Sequence, residues 1–289
     1  MEKKKRRFRI RRWMIQSVCT LAANGNLRGF ATGSIYQGPG KHVCVPGLNC
    51  YSCPGALGAC PIGALQTSLA ARNGLAFYAT GTLLLFGVLL GRLVCGFVCP
   101  FGFLQDLLKK ITKKSLTVPR GIDRPLRYVK YAVLLVLVLL LPVLVKGDYG
   151  AGVPYFCKWL CPAGTLEGGI PLVLAHETLR QTVGFQFFWK VGLLLATLAL
   201  SVAVARPFCK YLCPLGAIYG LMNRLSLYRM RVDKAVCTNC GACKRACMMC
   251  VDVTKDSNSP ECIRCGACKD ACPHHAISSG FGKRDGPFA

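Results

Sequence analysis

Apolar residues dominate three stretches of the chain, 75–94, 128–145 and 185–205. Each is close to the roughly 20 residues that cross a bilayer as a helix. Lys130 and Lys190 sit near run ends, where their stems reach toward an interface. Pro142 near the end of the second run is tolerable in a membrane helix. A fourth stretch, 13–35, is weaker, because it holds Gln16, Asn24, Asn26 and Arg28. Beyond Arg231 the long apolar runs stop, and short polar, cysteine-rich segments take over.

Charge decides how the runs are threaded. Residues 1–12 hold eight Lys/Arg, and the stretch from Arg92 to Lys130 holds nine. The segment after Ala205 is again basic, whereas 36–73 and 147–184 carry few basic residues. Basic loops stay in the cytoplasm. An even number of crossings must therefore separate the N-terminus from the 92–130 loop, so 13–35 must cross. The expectation is four spans with both termini inside and with 36–73 and 147–184 outside. The start, MEKKKRRFRIRR, is too basic for too long to be a cleaved signal, and no small-residue cleavage site follows a compact apolar core.

The formal charge of +25 would suit a nucleic-acid binder, but 53% hydrophobic residues and the long uncharged runs favour a membrane protein. Twenty cysteines change the picture further. A disulfide framework belongs to small secreted domains. Structural zinc accounts for CxxC pairs but not for the tandem spacing described below.

One phrase occurs four times: CPIGALQ from Cys60, CPFGFLQ from Cys99, CPAGTLE from Cys161 and CPLGAIY from Cys213. Three copies have a partner four residues earlier, at Cys95, Cys157 and Cys209; the first has Cys50 and Cys53 upstream. Proline suits the first residue of a helix. The preceding cysteine then sits at the N-cap, where unpaired N–H groups and the helix dipole favour a thiolate or an anionic cluster held by it. The topology puts two thiol pairs on each side, and four thiolates bind one [4Fe–4S] cluster. An inner cluster is expected on Cys95, Cys99, Cys209 and Cys213. An outer cluster is expected from Cys50, Cys53, Cys60, Cys157 and Cys161, a set with one cysteine too many. Either Cys44 and Cys50 form a disulfide, or Cys50 replaces a neighbour as ligand.

The tail carries two runs of C-x2-C-x2-C-x3-C: Cys237, Cys240, Cys243, Cys247 and Cys262, Cys265, Cys268, Cys272. In two-cluster ferredoxins of this spacing the fourth cysteine ligates the other cluster. Cys237, Cys240, Cys243 and Cys272 are therefore expected on one cluster, and Cys262, Cys265, Cys268 and Cys247 on the second. Met248 stands where proline usually follows, and Cys250 is extra, so Cys247 and Cys250 both stay open. The fold class is an all-α membrane protein: four transmembrane helices with re-entrant or short helices at the Cys-Pro motifs over 1–230, plus a cytoplasmic α+β two-cluster ferredoxin domain over 231–289.

No C-x-x-C-H attaches haem, and no glycine-rich nucleotide loop follows a strand. The four histidines, His42, His176, His274 and His275, lie outside the expected spans. His176 with Glu177 is a quinone contact or, more simply, a solvated helix end.

The Cys-x3-Cys-Pro phrases at helix ends and the C-terminal tandem ferredoxin resemble the NapH-like, polyferredoxin-like membrane iron–sulfur proteins. The resemblance covers nearly the whole chain. It implies an electron carrier of a prokaryotic cytoplasmic membrane, working between a cytoplasmic or quinone donor and an extracytoplasmic acceptor. Cys95/Cys99 and Cys209/Cys213 match the family's cytoplasmic phrases; the outer cysteines depart from its simplest pattern and extend the redox chain to the far side. The expected function is a transmembrane relay with four [4Fe–4S] clusters and no catalytic residue of its own. Its partners would be a ferredoxin or cytoplasmic oxidoreductase, an extracytoplasmic flavin or cytochrome protein, quinone and membrane lipid, with no nucleic acid. The alternatives are a quinol dehydrogenase, and a redox regulator or metal-reducing assembly factor.

Overall fold

The computed structural model describes residues 2–71, 76–112, 116, 118–146 and 152–282. The first residues of the run expected over 75–94, and the start of the outer segment expected over 147–184, lie outside them.

Two helices among the described residues are long and apolar enough to cross a bilayer, Gly121–Leu144 and Phe185–Ala203. The first has 24 residues and is wound as a π-helix over Leu134–Leu140. At 1.5 Å per residue it is about 36 Å long. The other two expected runs differ. Helix Phe77–Leu90 has 14 residues, about 21 Å, which is short of a bilayer core. It ends because Gly91 takes φ 55°, and a Cβ there would lie 2.4 Å from Asn223 Oδ1. The chain then turns into the short helix Leu93–Phe97.

The 13–35 stretch is not one helix. Glu2–Ala23 ends, and Leu27–Thr32 begins after a break. Asparagine side chains compete for backbone groups and favour such breaks. Here the Asn26 amide nitrogen donates to Pro54 O at 2.9 Å, and its backbone N–H donates to Gly55 O at 3.1 Å. The end of the first helix is thereby tied to the 44–60 segment, with Leu57 N–H on Ala23 O at 3.0 Å.

All four Cys-Pro phrases start helices, with proline in the first turn and Cys60, Cys99, Cys161 and Cys213 at the N-cap. Their apolar faces meet in one core. It includes Ile62, Phe101, Phe156, Phe208, Leu215 and Tyr219, each at most 1% exposed, and Phe101 packs edge-on against Phe208 with ring centres 5.3 Å apart.

The tail is closed by two antiparallel strands, β1 (Tyr228–Val232) and β2 (Ile277–Phe281), with Met230 opposite Ser279. Between them lie two short helices that pack on each other, Ala242–Ala246 and Ala267–Ala271. The tail is fastened to the helical part. Asn223 donates to Ser259 O and Cys262 O, both at 2.8 Å. Arg264 donates to Leu90 O at 3.0 Å and Asn223 O at 2.7 Å. Ile263 belongs to the same buried core as Phe101 and Phe208.

Candidate metal centres

The tail brings its cysteines together in two groups. One small pocket is walled by Cys237, Cys240, Cys243 and Cys272; a second is walled by Cys262, Cys265, Cys268 and Cys247. Each pocket takes three sulfurs from one run and the fourth from the other. Cys250 lines neither pocket, is exposed and has φ 54°. The turns that present the sulfurs use left-handed backbone at Asn239, Gly241, Arg264 and Gly266, which curls a loop around a concave site.

Cys95, Cys99, Cys209 and Cys213 are all at most 6% exposed. Burial pushes the Cys213 thiol well above the ordinary range, and the proximity of Cys209, Cys95 and Cys99 adds to the rise. Cys99 is pushed up for the same reason. Desolvation disfavours a bare thiolate here. Binding to iron shares out the sulfur's charge, so a buried four-sulfur set suits an iron–sulfur cluster.

Two arginines, unremarked in the sequence reading, frame this inner set by exchange. Arg92 Nη2 donates to Cys209 O at 2.9 Å, and Arg206 Nη1 donates to Cys95 O. Each arginine stands three residues before the first cysteine of its own phrase and caps that of the other. The spacing R-x2-C-x3-C-P, present twice, was the available signal. Each guanidinium also sits beside a glycine of the opposite phrase. A Cβ on Gly102 would meet Arg206 Nη1 at 3.3 Å, and one on Gly216 would meet Arg92 Nη2 at 3.3 Å. Asp106 holds Arg206 at 2.6 and 2.7 Å and Arg12 at 2.6 Å. Glu261, from the tail, accepts from Arg92 Nη1 at 3.0 Å and from Lys130.

The outer cysteines surround a cavity of about 970 Å³ lined by Cys44, Cys50, Cys60, Cys157 and Cys161, among others. Cys60 Cβ and Cys157 Sγ lie 3.8 and 4.0 Å from the Cβ position of Gly63. Cys50 Sγ and Cys161 Sγ lie 3.6 and 3.8 Å from that of Gly164. The glycines of two Cys-Pro phrases thus leave room for sulfur on two sides of one space. Cys53 lies off this wall, with its sulfur 3.6 Å from Asn24 Oδ1. All twenty cysteines are free, so Cys44 and Cys50 are not bridged. Glu167 is half-buried and accepts the Cys50 N–H at 2.7 Å; desolvation pushes its carboxyl up to about 7. His176 is used structurally, with Nε2 3.0 Å from Gly33 O.

The inner and outer sets are neighbours. The segment Cys44 to Cys50 runs between them as a strap, and Gly47, Leu48 and Asn49 are buried. The Leu48 N–H faces the Cys99 sulfur, and the next N–H, that of Asn49, faces the Cys60 sulfur. A Cβ on Gly47 would come within 3.0 Å of Cys99 Cα. Tyr219 fixes the strap by donating to Pro46 O at 2.9 Å. On the other side of the inner set, a Cβ on Gly96 would stand 2.5 Å from Ile263 O, within the Cys262–Cys265 loop. Among the described residues, no three His, Cys, Asp or Glu side chains close on a single ion.

A 4Fe-4S binding domain family matches residues 72–119, 131–170 and 185–233, and a second 4Fe-4S binding domain family matches 258–278. The chain is 30% identical over 241 residues to the methylamine utilization ferredoxin-type protein MauN of Paracoccus denitrificans, covering 81% of this chain and 75% of that one. It is 31% identical over 187 residues to the ferredoxin-type protein NapH of Haemophilus influenzae, covering 62% and 57%. It is 29% identical over 180 residues to an uncharacterized protein of Methanocaldococcus jannaschii, covering 60% of this chain. The matches span 66% and 57% of the lengths of that protein and a second one from the same archaeon. No solved structure matches the chain.

Proposed function

The chain belongs to the NapH-like polyferredoxin family of ferredoxin-type iron–sulfur electron-transport proteins, and on that premise we propose that it is a transmembrane relay with four cysteine-held stations. Cys237, Cys240, Cys243 and Cys272 hold the first. Cys262, Cys265, Cys268 and Cys247 hold the second, Cys95, Cys99, Cys209 and Cys213 the third, and Cys50, Cys60, Cys157 and Cys161 the fourth. Bound there, [4Fe–4S] clusters supply one-electron storage. The cysteines fix the order of stations, the buried core keeps water from the inner two, and the N-cap positions favour their negative charge. In this reading the chain crosses a prokaryotic cytoplasmic membrane four times, twice by the long helices Gly121–Leu144 and Phe185–Ala203 and twice by broken pieces, Glu2–Ala23 with Leu27–Thr32 and Phe77–Leu90 with Leu93–Phe97, so that both termini and the 231–289 domain lie inside. It exchanges electrons between a cytoplasmic ferredoxin or oxidoreductase and an extracytoplasmic flavin or cytochrome protein.

The observation that carries this reading is the strap. Successive amides, of Leu48 and Asn49, face Cys99 and Cys60. One strap thus passes between the sulfurs of the proposed third and fourth stations, which supports direct exchange between them. Anaerobic iron and sulfide analysis with an EPR-monitored redox titration tests it. About 16 irons per chain are expected for four cubanes, falling by about four in Cys209→Ser. Iron-free protein, or unchanged iron in that variant, refutes it.

A second reading, quinol oxidation at the outer face, is favoured by one feature. The outer cavity of about 970 Å³ far exceeds the tail pockets of about 20 Å³ that each face four cysteines. That leaves space of ligand size beside the fourth station. Reduction of the protein by quinol, and not by cytoplasmic ferredoxin, would select this reading over the relay.

A further inference from the structure

The seventh residue of each Cys-Pro phrase is the place where one half of the molecule reaches the other. In the second pair of phrases it holds the strap: Glu167 takes the Cys50 N–H at 2.7 Å, and Tyr219 donates to Pro46 O at 2.9 Å. In the first pair it is glutamine, and it reaches sulfur. Gln66 Nε2 lies 3.3 Å from Cys157 Sγ, and Gln105 Nε2 lies 3.1 Å from Cys209 Sγ. In both cases the sulfur belongs to the first cysteine of the facing phrase.

The amides are oriented by their other partners. Gln66 Oε1 accepts the Phe156 N–H at 3.0 Å, which leaves its NH2 group toward Cys157. Gln105 Nε2 also faces Phe101 O at 3.4 Å, one turn back on its own helix. Turning that amide over would set its oxygen against a carbonyl and a sulfur. Gln105 Oε1 is buried without a hydrogen-bond partner among the described residues. An unpaired buried carbonyl is costly, so this side chain is placed for what its nitrogen does. Both glutamines are fully buried, where a hydrogen bond is electrostatically stronger than in water.

We propose that Gln105 and Gln66 set the reduction potentials of the inner and outer centres separately, each by donating an amide N–H to a ligand sulfur. An N–H···S bond favours the more negative, reduced state of a cluster, and hydrogen bonds to sulfur are among the determinants of cluster potential. The backbone N–H groups of Gly164 and Gly216, each 3.4 Å from a Cys-Pro sulfur, give the two centres the same treatment. Glutamine is the replaceable part. These are positioning residues that touch a ligand and no substrate.

The inference rests on Cys157 and Cys209 being ligands, which the iron content of the corresponding serine variants tests by itself. Redox titration followed by EPR then reads each potential. Gln105→Leu should lower the inner potential by about tenfold in the one-electron equilibrium, about 59 mV, and leave the outer one in place. Gln66→Leu should do the reverse. A purely structural role would reduce iron content or thermal stability without moving one potential selectively. Gln105 gives the cleaner variant, because Gln66 also holds the Phe156 N–H. Should a leucine variant not assemble, the full-length protein with 15N in its glutamine side chains decides by pulsed EPR: a 15N coupling to each reduced membrane cluster supports the proposal. Assembled variants with unchanged potentials overturn it, as does labelled protein without that coupling.

Discussion

Removing the Glu261 carboxylate should loosen the tail from the helical part. Glu261 lies one residue before Cys262 and faces two cations, Arg92 and Lys130, whose side chains are 0% exposed. In Glu261→Gln both positive charges stay buried without their counter-ion. Breaking a buried pair from one side costs about 3–5 kcal/mol. At 1.4 kcal/mol per factor of ten, the docked state would lose between about two and nearly four powers of ten against the undocked one. Arg92 also holds Cys209 O, so the inner centre should feel the same change. Limited trypsin digestion in detergent reads the undocking, and spin–spin broadening between reduced clusters reads the separation of tail and inner centre. Glu261→Gln should be cut faster in the 231–282 region and lose the broadening. Adding Lys130→Met should recover part of the protection, because it removes one of the stranded charges. A single variant as protected as the parent, or a double variant no better than the single, refutes the reasoning.

Three other outcomes are expected. Cys50→Ser should lose about one cluster's iron whereas Cys53→Ser should not, because only Cys50 faces the outer cavity; equal losses would move Cys53 into the ligand set. In the tail, Cys247→Ser should remove one cluster and Cys250→Ser none, by iron content and EPR spin count. Gly47→Ala places a methyl 3.0 Å from Cys99 Cα and 3.3 Å from Pro100 Cδ. The strap must then shift, so electron exchange between the inner and outer centres should slow several-fold in flash reduction while iron content holds; an unchanged rate would show that the strap is not the bridge.

Local spacing made the tail legible. The runs from Cys237 and from Cys262 each close a loop within a dozen residues, so the crossed grouping of Cys272 with the first run could be read before any fold was known, whereas the fourth cysteine of the second group stayed open between Cys247 and Cys250. The N-caps at Cys60, Cys99, Cys161 and Cys213 were legible for the same reason, since proline fixes the following helix start. The choice between Cys50 and Cys53 was not legible. It depends on the route of the 44–60 segment, which has no hydrophobic period and is held by distant partners such as Tyr219 and Asn26. The run over 13–35 misled as a single spanning helix, because the parity of the basic loops required a crossing there, whereas Asn24 and Asn26 compete locally for the backbone. Arg92 and Arg206 escaped notice because each acts on the phrase of the other, over a separation that no local pattern encodes.

That reciprocal capping dictates an order of manufacture. The Cys95 carbonyl waits for an arginine 111 residues further along the chain, and the Cys99 side of the cage waits for Cys209 and Cys213. On the ribosome, the first half of the inner cage therefore emerges unfinished and stays so until the last long apolar helix, Phe185–Ala203, has been made. On the proposed ligand set, iron delivered earlier would find only two of its four thiols. Loading of the proposed centre is thus confined to the nearly complete polypeptide, after Phe185–Ala203 has packed on the helix Pro100–Lys109.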